Sequence, residues 1–191
     1  MGRLLLVLGG ARSGKSAYAQ RLAQELGGDH VLFVATAEAG DEDMVQRITR
    51  HQQERPASWR TLETPRQVGR AIALHLDDTP VVVVDCLTLL VSNTLLHCGT
   101  SPDHVVAEAA VQEEVAALLQ TCQARAATCI VVSNEVGLGL VPDNPLGRLY
   151  RDLLGKANQA LAAHAEAVYF MVAGLPVDVK ALASPAWLRS S

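Results

Sequence analysis

Short, continuous apolar runs alternate along the chain with longer segments in which apolar residues recur every three or four positions. The short runs are rich in Val, Leu and Ile, which is typical of strands buried on both faces of a parallel sheet. Together with an extended segment at 59–63, they predict strands at residues 4–8, 31–34, 59–63, 81–85, 129–133 and 167–172. The longer segments predict helices at residues 15–26, 42–54, 66–76, 87–96, 103–124 and 146–163. This alternation indicates an α/β fold, doubly wound, with a mostly parallel sheet and helices on both faces.

The pattern continues from one end of the chain to the other with no internal repeat and no low-complexity linker. With 191 residues, the chain is long enough to bury one full core, and we expect a single domain over residues 1–191. The residues after Gly174 are expected to form a weakly ordered tail, from about residue 175.

A glycine-rich segment, GGARSGKS, joins the first predicted strand to the first predicted helix. Its spacing, G-x-x-x-x-G-K-S, is that of a phosphate-binding P-loop, in which backbone N–H groups and the positive end of the helix surround a phosphate. Lys15 supplies a cation for the β- and γ-phosphates, and Ser16 a hydroxyl for Mg²⁺. The plainer alternative is a turn that only joins strand to helix. The predicted phosphate-binding residues are Gly9, Gly10, Ala11, Arg12, Ser13, Gly14, Lys15 and Ser16.

An acidic residue, Asp85, follows the run Val81–Val84. A carboxylate at the end of a central strand is the usual second Mg²⁺ ligand opposite a P-loop, so Ser16 and Asp85 are the predicted metal ligands. The alternative is that Asp85 caps the helix that begins near Leu87. Asn134 and Glu135 also follow a predicted strand, and they open a loop, residues 134–144, with the composition of an active-site loop.

The predicted helix at 42–54 carries a histidine between two arginines. Arg47, His51 and Arg55 are spaced one turn apart and stack along one side. The arginines favour a neutral, nucleophilic imidazole and could bind phosphates. Composition and spacing alone favour the alternative, a solvated helix face with an incidental histidine.

Composition excludes several classes of function. Hydrophobic residues make up 49% of the chain and charged residues 19%, which excludes a disordered protein. The net charge of −4 argues against general nucleic-acid binding. No apolar run approaches the ~20 residues that span a bilayer, and the N-terminus lacks the layout of a signal peptide, so a cytoplasmic protein is expected. The four cysteines lack the C-x-x-C spacing of a zinc site and suggest no disulfide framework.

Four blocks of sequence together resemble one family. They are GGARSGKS at 9–16, R-I-x-x-H-x-x-x-R-P-x-x-W-x-T-x-E at 47–63, V-D-C-L-T at 84–88 and N-E-V-G-x-G-x-V-P at 134–142. The chain resembles, from about residue 4 to 172, the bifunctional adenosylcobinamide kinase / adenosylcobinamide-phosphate guanylyltransferase of cobalamin biosynthesis, which implies a P-loop NTPase-type fold.

The resemblance implies two reactions on one corrinoid substrate. A nucleoside triphosphate, ATP or GTP, phosphorylates adenosylcobinamide, and GMP from GTP is then transferred to that phosphate through a histidine, which here is His51. Lys15 and His51 are thus the implied catalytic residues. The resemblance also implies Mg²⁺ as cofactor and a homo-oligomer. The further nucleotide-binding residues that it implies are Ala35, Thr36, Ala37, Gln52, Gln53, Glu54, Arg55, Glu63 and Asp85.

Two other functions stay open. A small-molecule P-loop kinase would transfer phosphate without a covalent nucleotide, and a nucleotide-dependent switch would hydrolyse nucleotide slowly without transferring it.

Overall fold

The computed structural model describes residues 2–38 and 55–183. The strands are β1 (Arg3–Gly9), β2 (Val31–Ala35), β3 (Arg60–Glu63), β4 (Val81–Asp85), β5 (Thr128–Asn134), β6 (Ala167–Val172) and β7 (Leu175–Asp178). The helices are α1 (Lys15–Gly27), α2 (Val68–His75), α3 (Leu87–His97), α4 (His104–Ala124), α5 (Pro145–His164) and α6 (Val179–Leu182). The predicted helix at 42–54 lies outside the described residues.

The seven strands form one sheet in the order β3-β2-β4-β5-β1-β6-β7. All neighbouring pairs are parallel except β6 and β7. The strand that precedes the glycine-rich segment, β1, lies between β5 and β6. The doubly wound, mostly parallel sheet predicted from the sequence is therefore confirmed.

Side chains of alternate sheet residues enter two separate cores. One core contains Leu6, Val84 and Val131 and is covered by α2, α3, α4 and α5. The other contains Val7, Phe33 and Val83, and α1 packs on it through Ala19 and Ala23. Because strands of a parallel sheet are buried on both faces, their sequences are apolar at every position instead of at every second one.

Two of the long helices begin at side-chain caps. Asp103 accepts hydrogen bonds from the backbone N–H groups of Val105 and Val106 at the start of α4. Asn144 caps α5 through the N–H of Gly147, and Pro145 occupies the first helical turn. Such caps pair N–H groups that have no partner within the helix. The Asn144 cap also fixes where the loop of residues 134–144 ends.

The prediction of a weakly ordered tail from about residue 175 is wrong for residues 175–183. Leu175–Asp178 forms β7, which pairs antiparallel with β6, and α6 follows it. The turn between β6 and β7 consists of Ala173 and Gly174, both with positive φ, 50° and 83°. Two-residue hairpins favour this conformation, but Asn-Gly or Asp-Gly is their usual sequence signal, and Ala-Gly lacks it.

Within the two described ranges, none of the helices has the length and apolar character that crossing a bilayer requires. The four cysteines are free thiols, with Cys122 and Cys129 buried and Cys86 and Cys98 partly buried.

Candidate active site

The glycine-rich segment turns tightly at the carboxyl end of β1. Gly9 and Gly14 have φ of 154° and 93°. A Cβ on Gly9 would lie 2.8 Å from the carbonyl oxygen of Met171, and one on Gly14 would lie 3.2 Å from the Cα of Gly174. A side chain at Gly9 would therefore collide with β6, and one at Gly14 would crowd the turn between β6 and β7. The N–H of Gly174 in this turn also donates to Ser13 O at 3.0 Å.

The first turn of α1 follows the glycine-rich segment directly, and its backbone N–H groups have no partner within the helix. Gly14 is its N-cap, and glycine has no side chain with which to accept hydrogen bonds from these groups. The turn begins Lys-Ser-Ala-Tyr, so no carboxylate there competes for the positive end of the helix dipole. Such a helix terminus favours an anion.

Lys15 is the cation of this loop. Its side chain is 8% exposed, and its Nζ donates to the carbonyl oxygen of Gly10 at 2.6 Å. Burial lowers the pKa of Lys15 below its ordinary value, and the neighbouring Cys86 and Asp85 partly oppose this shift. A desolvated ammonium group held by a single loop carbonyl gains most from an incoming phosphate.

Two carboxylates stand at the carboxyl edge of the sheet on the face that α1 covers. Glu63 is level with Ala35, and Ala35 is level with Asp85. Neighbouring strands are about 4.8 Å apart, which puts the Cα atoms of Glu63 and Asp85 about 10 Å apart. Asp85 is intermediate in exposure, and the N-cap of α3 is Cys86 instead of Asp85, so the capping alternative for Asp85 is wrong.

Arg55 lies on the same face. Its guanidinium carbon is 3.8 Å from the centroid of the Phe33 ring, and its Nη1 lies 3.4 Å from Thr61 Oγ1. Burial lowers the pKa of Arg55, and the charges of Asp85 and Glu63 oppose the shift. The site therefore carries alternating charges, with Lys15 near Asp85 and Arg55 near both carboxylates.

Thr36 joins the ends of β2 and β4. Its Oγ1 donates to the carbonyl oxygen of Cys86 at 2.8 Å and accepts from the N–H of Cys86 at 2.7 Å. Thr36 is fully buried, and its own N–H donates to Asp85 O at 3.1 Å. The predicted nucleotide-binding position at Thr36 thus uses its side chain to fix the backbone beside Asp85.

Asn93, on α3, is a site residue that the sequence analysis missed. Its Nδ2 donates to Thr36 O at 2.8 Å and to Pro65 O at 3.1 Å. It therefore ties together the backbone after β2 and the backbone after β3. The signal in the sequence is an amide side chain in a largely apolar helical segment.

Thr88 and Asn158 hold the start of the loop of residues 134–144. Thr88 Oγ1 accepts from the N–H of Asn134 at 2.8 Å, and Asn158 Nδ2 donates to Asn134 O at 3.1 Å. The N–H of Glu135 donates to Gly9 O at 3.1 Å. The loop therefore begins in direct contact with the P-loop, as its position after a strand predicted.

The structure brings most predicted site residues to one edge of the sheet. They are the P-loop residues 9–16, residues 35–37 after β2, Arg55, Glu63 and Asp85. Four predicted site residues, His51, Gln52, Gln53 and Glu54, lie outside the described residues, and their roles stay predictions.

Comparison with known proteins bears on this arrangement. Residues 5–179 match the family model described as cobinamide kinase / cobinamide phosphate guanyltransferase. The chain belongs to this family. It is therefore an enzyme of the kinase and nucleotidyltransferase classes, and the resemblance described from the sequence blocks is confirmed.

Curated relatives agree over nearly their whole length. The chain is 38% identical over 182 residues to the bifunctional adenosylcobalamin biosynthesis protein CobU of Salmonella typhimurium, covering 93% of this chain and 99% of that protein. It is 45% identical over 175 residues to the bifunctional adenosylcobalamin biosynthesis protein CobP of Pseudomonas aeruginosa, covering 92% and 96%. Both relatives are thus named as bifunctional proteins of adenosylcobalamin biosynthesis.

Among solved structures, the ATPase domain of G40P is similar in fold. The TM-score is 0.51 at 13% sequence identity, over 88% of this chain and 68% of that one. At this identity the similarity supports the P-loop NTPase fold alone.

Proposed function

We propose that this protein phosphorylates the free hydroxyl of a cobinamide with a nucleoside triphosphate, and then transfers GMP from GTP to the new phosphate through His51. The observation that carries the proposal is the strip of alternating charges formed by Lys15, Asp85, Arg55 and Glu63 at the P-loop. Arg55 stands at the end of the segment that contains His51, so the same strip serves both reactions.

In the kinase step, the P-loop holds the triphosphate. Backbone N–H groups of residues 9–14 and the first turn of α1 donate to the phosphate oxygens, and Lys15 Nζ exchanges Gly10 O for a phosphate oxygen. These groups stabilise the negative charge that develops on the leaving nucleoside diphosphate. The substrate hydroxyl attacks the γ-phosphorus, the bond from that phosphorus to the bridging oxygen breaks, and the hydroxyl proton leaves with solvent or a base.

The oxygen donors at this edge fit a Mg²⁺ ion. Ser16 supplies a hydroxyl and Asp85 a carboxylate, and Mg²⁺ commonly takes only one or two protein oxygens and completes its shell with phosphate and water. Across residues 2–38 and 55–183, no group of three His, Cys, Asp or Glu side chains is placed to hold a metal ion, so the ion would depend on the nucleotide for the remaining ligands. When bound, Mg²⁺ neutralises charge on the phosphates.

In the guanylyl transfer, His51 acts as nucleophile. A ring nitrogen of neutral His51 forms a bond to the α-phosphorus of GTP, and the bond to the pyrophosphate oxygen breaks. A phosphate oxygen of the phosphorylated cobinamide then attacks the same phosphorus and releases neutral imidazole, which gives the cobinamide-GDP product.

The position of Arg55 supports this role for His51. Four peptide units separate the two residues, so their Cα atoms are at most about 14 Å apart. Arg55 is near Asp85, which ends β4. Strand β4 lies next to β5, and β5 pairs with the P-loop strand β1. A histidine on this segment is therefore tethered close to the triphosphate, and Arg55 can hold a phosphate oxygen bidentately.

Intact-protein mass spectrometry tests the covalent step. After incubation with GTP and Mg²⁺, wild-type protein should gain the mass of one GMP, and the adduct should be labile in acid because a phosphoramidate is. His51→Ala should show no adduct. His97→Ala, at an exposed histidine at the end of α3, is the matched control and should behave as wild type. Cobinamide phosphorylation without any adduct would replace this proposal with a simple P-loop kinase.

We also propose a homo-oligomer, as the family resemblance implies. The edge strand β7 and its neighbours expose apolar side chains to solvent, namely Val172, Leu175, Val177, Val179 and Leu182. Edge strands of this kind pair readily with another chain. Light scattering that gives the mass of one chain at micromolar concentration would contradict it. The cytoplasmic location stays a prediction from the sequence.

A further inference from the structure

The loop of residues 134–144, here called the β5–α5 loop, exposes three large apolar side chains in succession. Leu138 is 81% exposed, Leu140 is 97% exposed and Val141 is 65% exposed. Single exposed apolar residues are common on protein surfaces, but several on one short loop form a patch that needs an explanation.

Contacts hold the β5–α5 loop in place on both sides of the exposed residues. Val136 and Leu146, on either side of the exposed residues, pack against the core. Glu135 Oε1 accepts from the N–H of Gly137 at 2.5 Å, and Arg148 Nη1 donates to Pro142 O at 2.9 Å and Asp143 O at 2.8 Å. The loop is therefore fixed at both ends in a conformation that presents its apolar side chains outward.

The loop that carries the patch begins at the candidate active site. The first residues of the β5–α5 loop are joined to the P-loop by the hydrogen bond from Glu135 N to Gly9 O at 3.1 Å. Asn134 and Gly9 are level in the sheet. The loop thus leaves the sheet at the point where the triphosphate binds, on the edge from which a phosphate acceptor must approach.

We propose that Leu138, Leu140 and Val141 form the surface on which the corrinoid ring of the substrate docks, so that its hydroxyl side chain reaches the P-loop. The inference rests on the proposed function, and it identifies the part of the site that binds the acceptor. A corrin macrocycle is broad and carries methyl groups around its rim, so it offers apolar area to three exposed side chains. The triphosphate group is charged and gains nothing from such a patch.

The double variant Leu138→Ser/Leu140→Ser tests the proposal. The matched control is Leu74→Ser. Leu74 is 69% exposed near the end of α2, shortly before β4 begins, and so lies towards the amino ends of the strands, away from the P-loop. Three quantities are measured on each protein: the KM for cobinamide in the kinase reaction, the Kd for GTP, and the yield of the GMP adduct formed without cobinamide.

We expect the KM for cobinamide to rise about tenfold or more in the double variant, since apolar contact area with the ring is lost. The Kd for GTP and the adduct yield should stay within twofold of wild type, and Leu74→Ser should match wild type in all three. A cobinamide KM within twofold of wild type would overturn the proposal, as would an equal change in the GTP Kd.

The alternative occupant of the patch is a second copy of this chain, and light scattering on the same proteins tests it. A drop in oligomeric mass in the double variant with the cobinamide KM unchanged would assign the patch to a subunit contact. The proposed function is judged on wild type alone. If wild type neither forms the adduct nor phosphorylates cobinamide, that function fails and the docking proposal fails with it, whereas an active wild type with an unaffected double variant rejects only the docking surface.

Discussion

Lys15 and Arg55 are two cations that the fold partly removes from water at the candidate active site. In both, burial lowers the pKa, and nearby acidic groups only partly restore it. For Lys15 the folded-state pKa is therefore below the ordinary value of 10.5. Its unfavourable contribution to stability is fully present at neutral pH, and it is relieved as the pH rises through the folded-state pKa towards 10.5. We expect a bound triphosphate to supply the compensating charge.

Substitutions at Thr36 test how much the stability of the backbone beside Asp85 depends on one hydroxyl group. Thr36→Val keeps the shape of the side chain but leaves the buried N–H and C=O of Cys86 without that partner. We expect a loss of about 2 kcal/mol in the free energy of unfolding, measured by urea denaturation. Thr36→Ser keeps the hydroxyl and should lose about 1 kcal/mol or less. Equal losses in the two variants would show that the hydroxyl is unimportant.

At this scale the sequence could predict only residues with a motif around them. The sequence predicts Lys15, Ser16 and Asp85 as site residues because strand, loop and helix signals surround them. Arg55 over Phe33, and Asn93 across the ends of β2 and β3, depend on distances between segments far apart in sequence. A local pattern carries no information on such distances.

At the scale of elements, α2 and α4 approach each other through a glycine. A Cβ on Gly69 would lie 2.4 Å from the backbone carbonyl of Ala117, and Thr121 Oγ1 donates to Gly69 O at 2.9 Å. This close contact holds α2, and with it the turn that follows β3, against the longest helix.

Gly69→Ala should therefore force the two helices apart. We expect a loss of about 1–3 kcal/mol in the free energy of unfolding, measured by urea denaturation. The matched control is Gly155→Ala on α5, where a new Cβ meets nothing within 4 Å. That change should raise stability by about 0.5–1 kcal/mol, because alanine has the higher helix propensity. A stabilised Gly69→Ala protein would contradict the close packing of α2 on α4.

Elements with strong periodicity were predictable, and a hairpin without its usual turn sequence was not. The apolar strands β1, β2, β4 and β5 stand out because residues on both of their faces are buried. The edge strand β7 has little burial to impose a pattern, and its turn, Ala173–Gly174, needs a positive φ that alanine does not signal.

For the whole molecule, nucleotide binding should appear as added stability. GTP with Mg²⁺ at a hundred times its Kd adds about 2.7 kcal/mol, which for a protein of this size raises Tm by about 5–10 °C. Differential scanning calorimetry measures the shift.

Lys15→Met is the control for this experiment. It should show almost no shift with GTP, and its own Tm without ligand should equal or exceed that of wild type, because a desolvated ammonium is gone. Its guanylyl transfer should fall at least about hundredfold. A GTP-dependent shift as large as that of wild type would show that the nucleotide binds elsewhere.

The position of β1 between β5 and β6 has a consequence for how the chain folds. Both strands that flank it come from the second half of the sequence, since Arg3 pairs with Thr128 and Leu5 with Ala167. Contacts between such distant residues form slowly, because a long loop must close before they contribute. During synthesis, β1 therefore leaves the ribosome well before the two strands that enclose it. A nascent chain carries the complete P-loop sequence long before it can hold a nucleotide, and a truncation before β6 would leave that sequence without its scaffold.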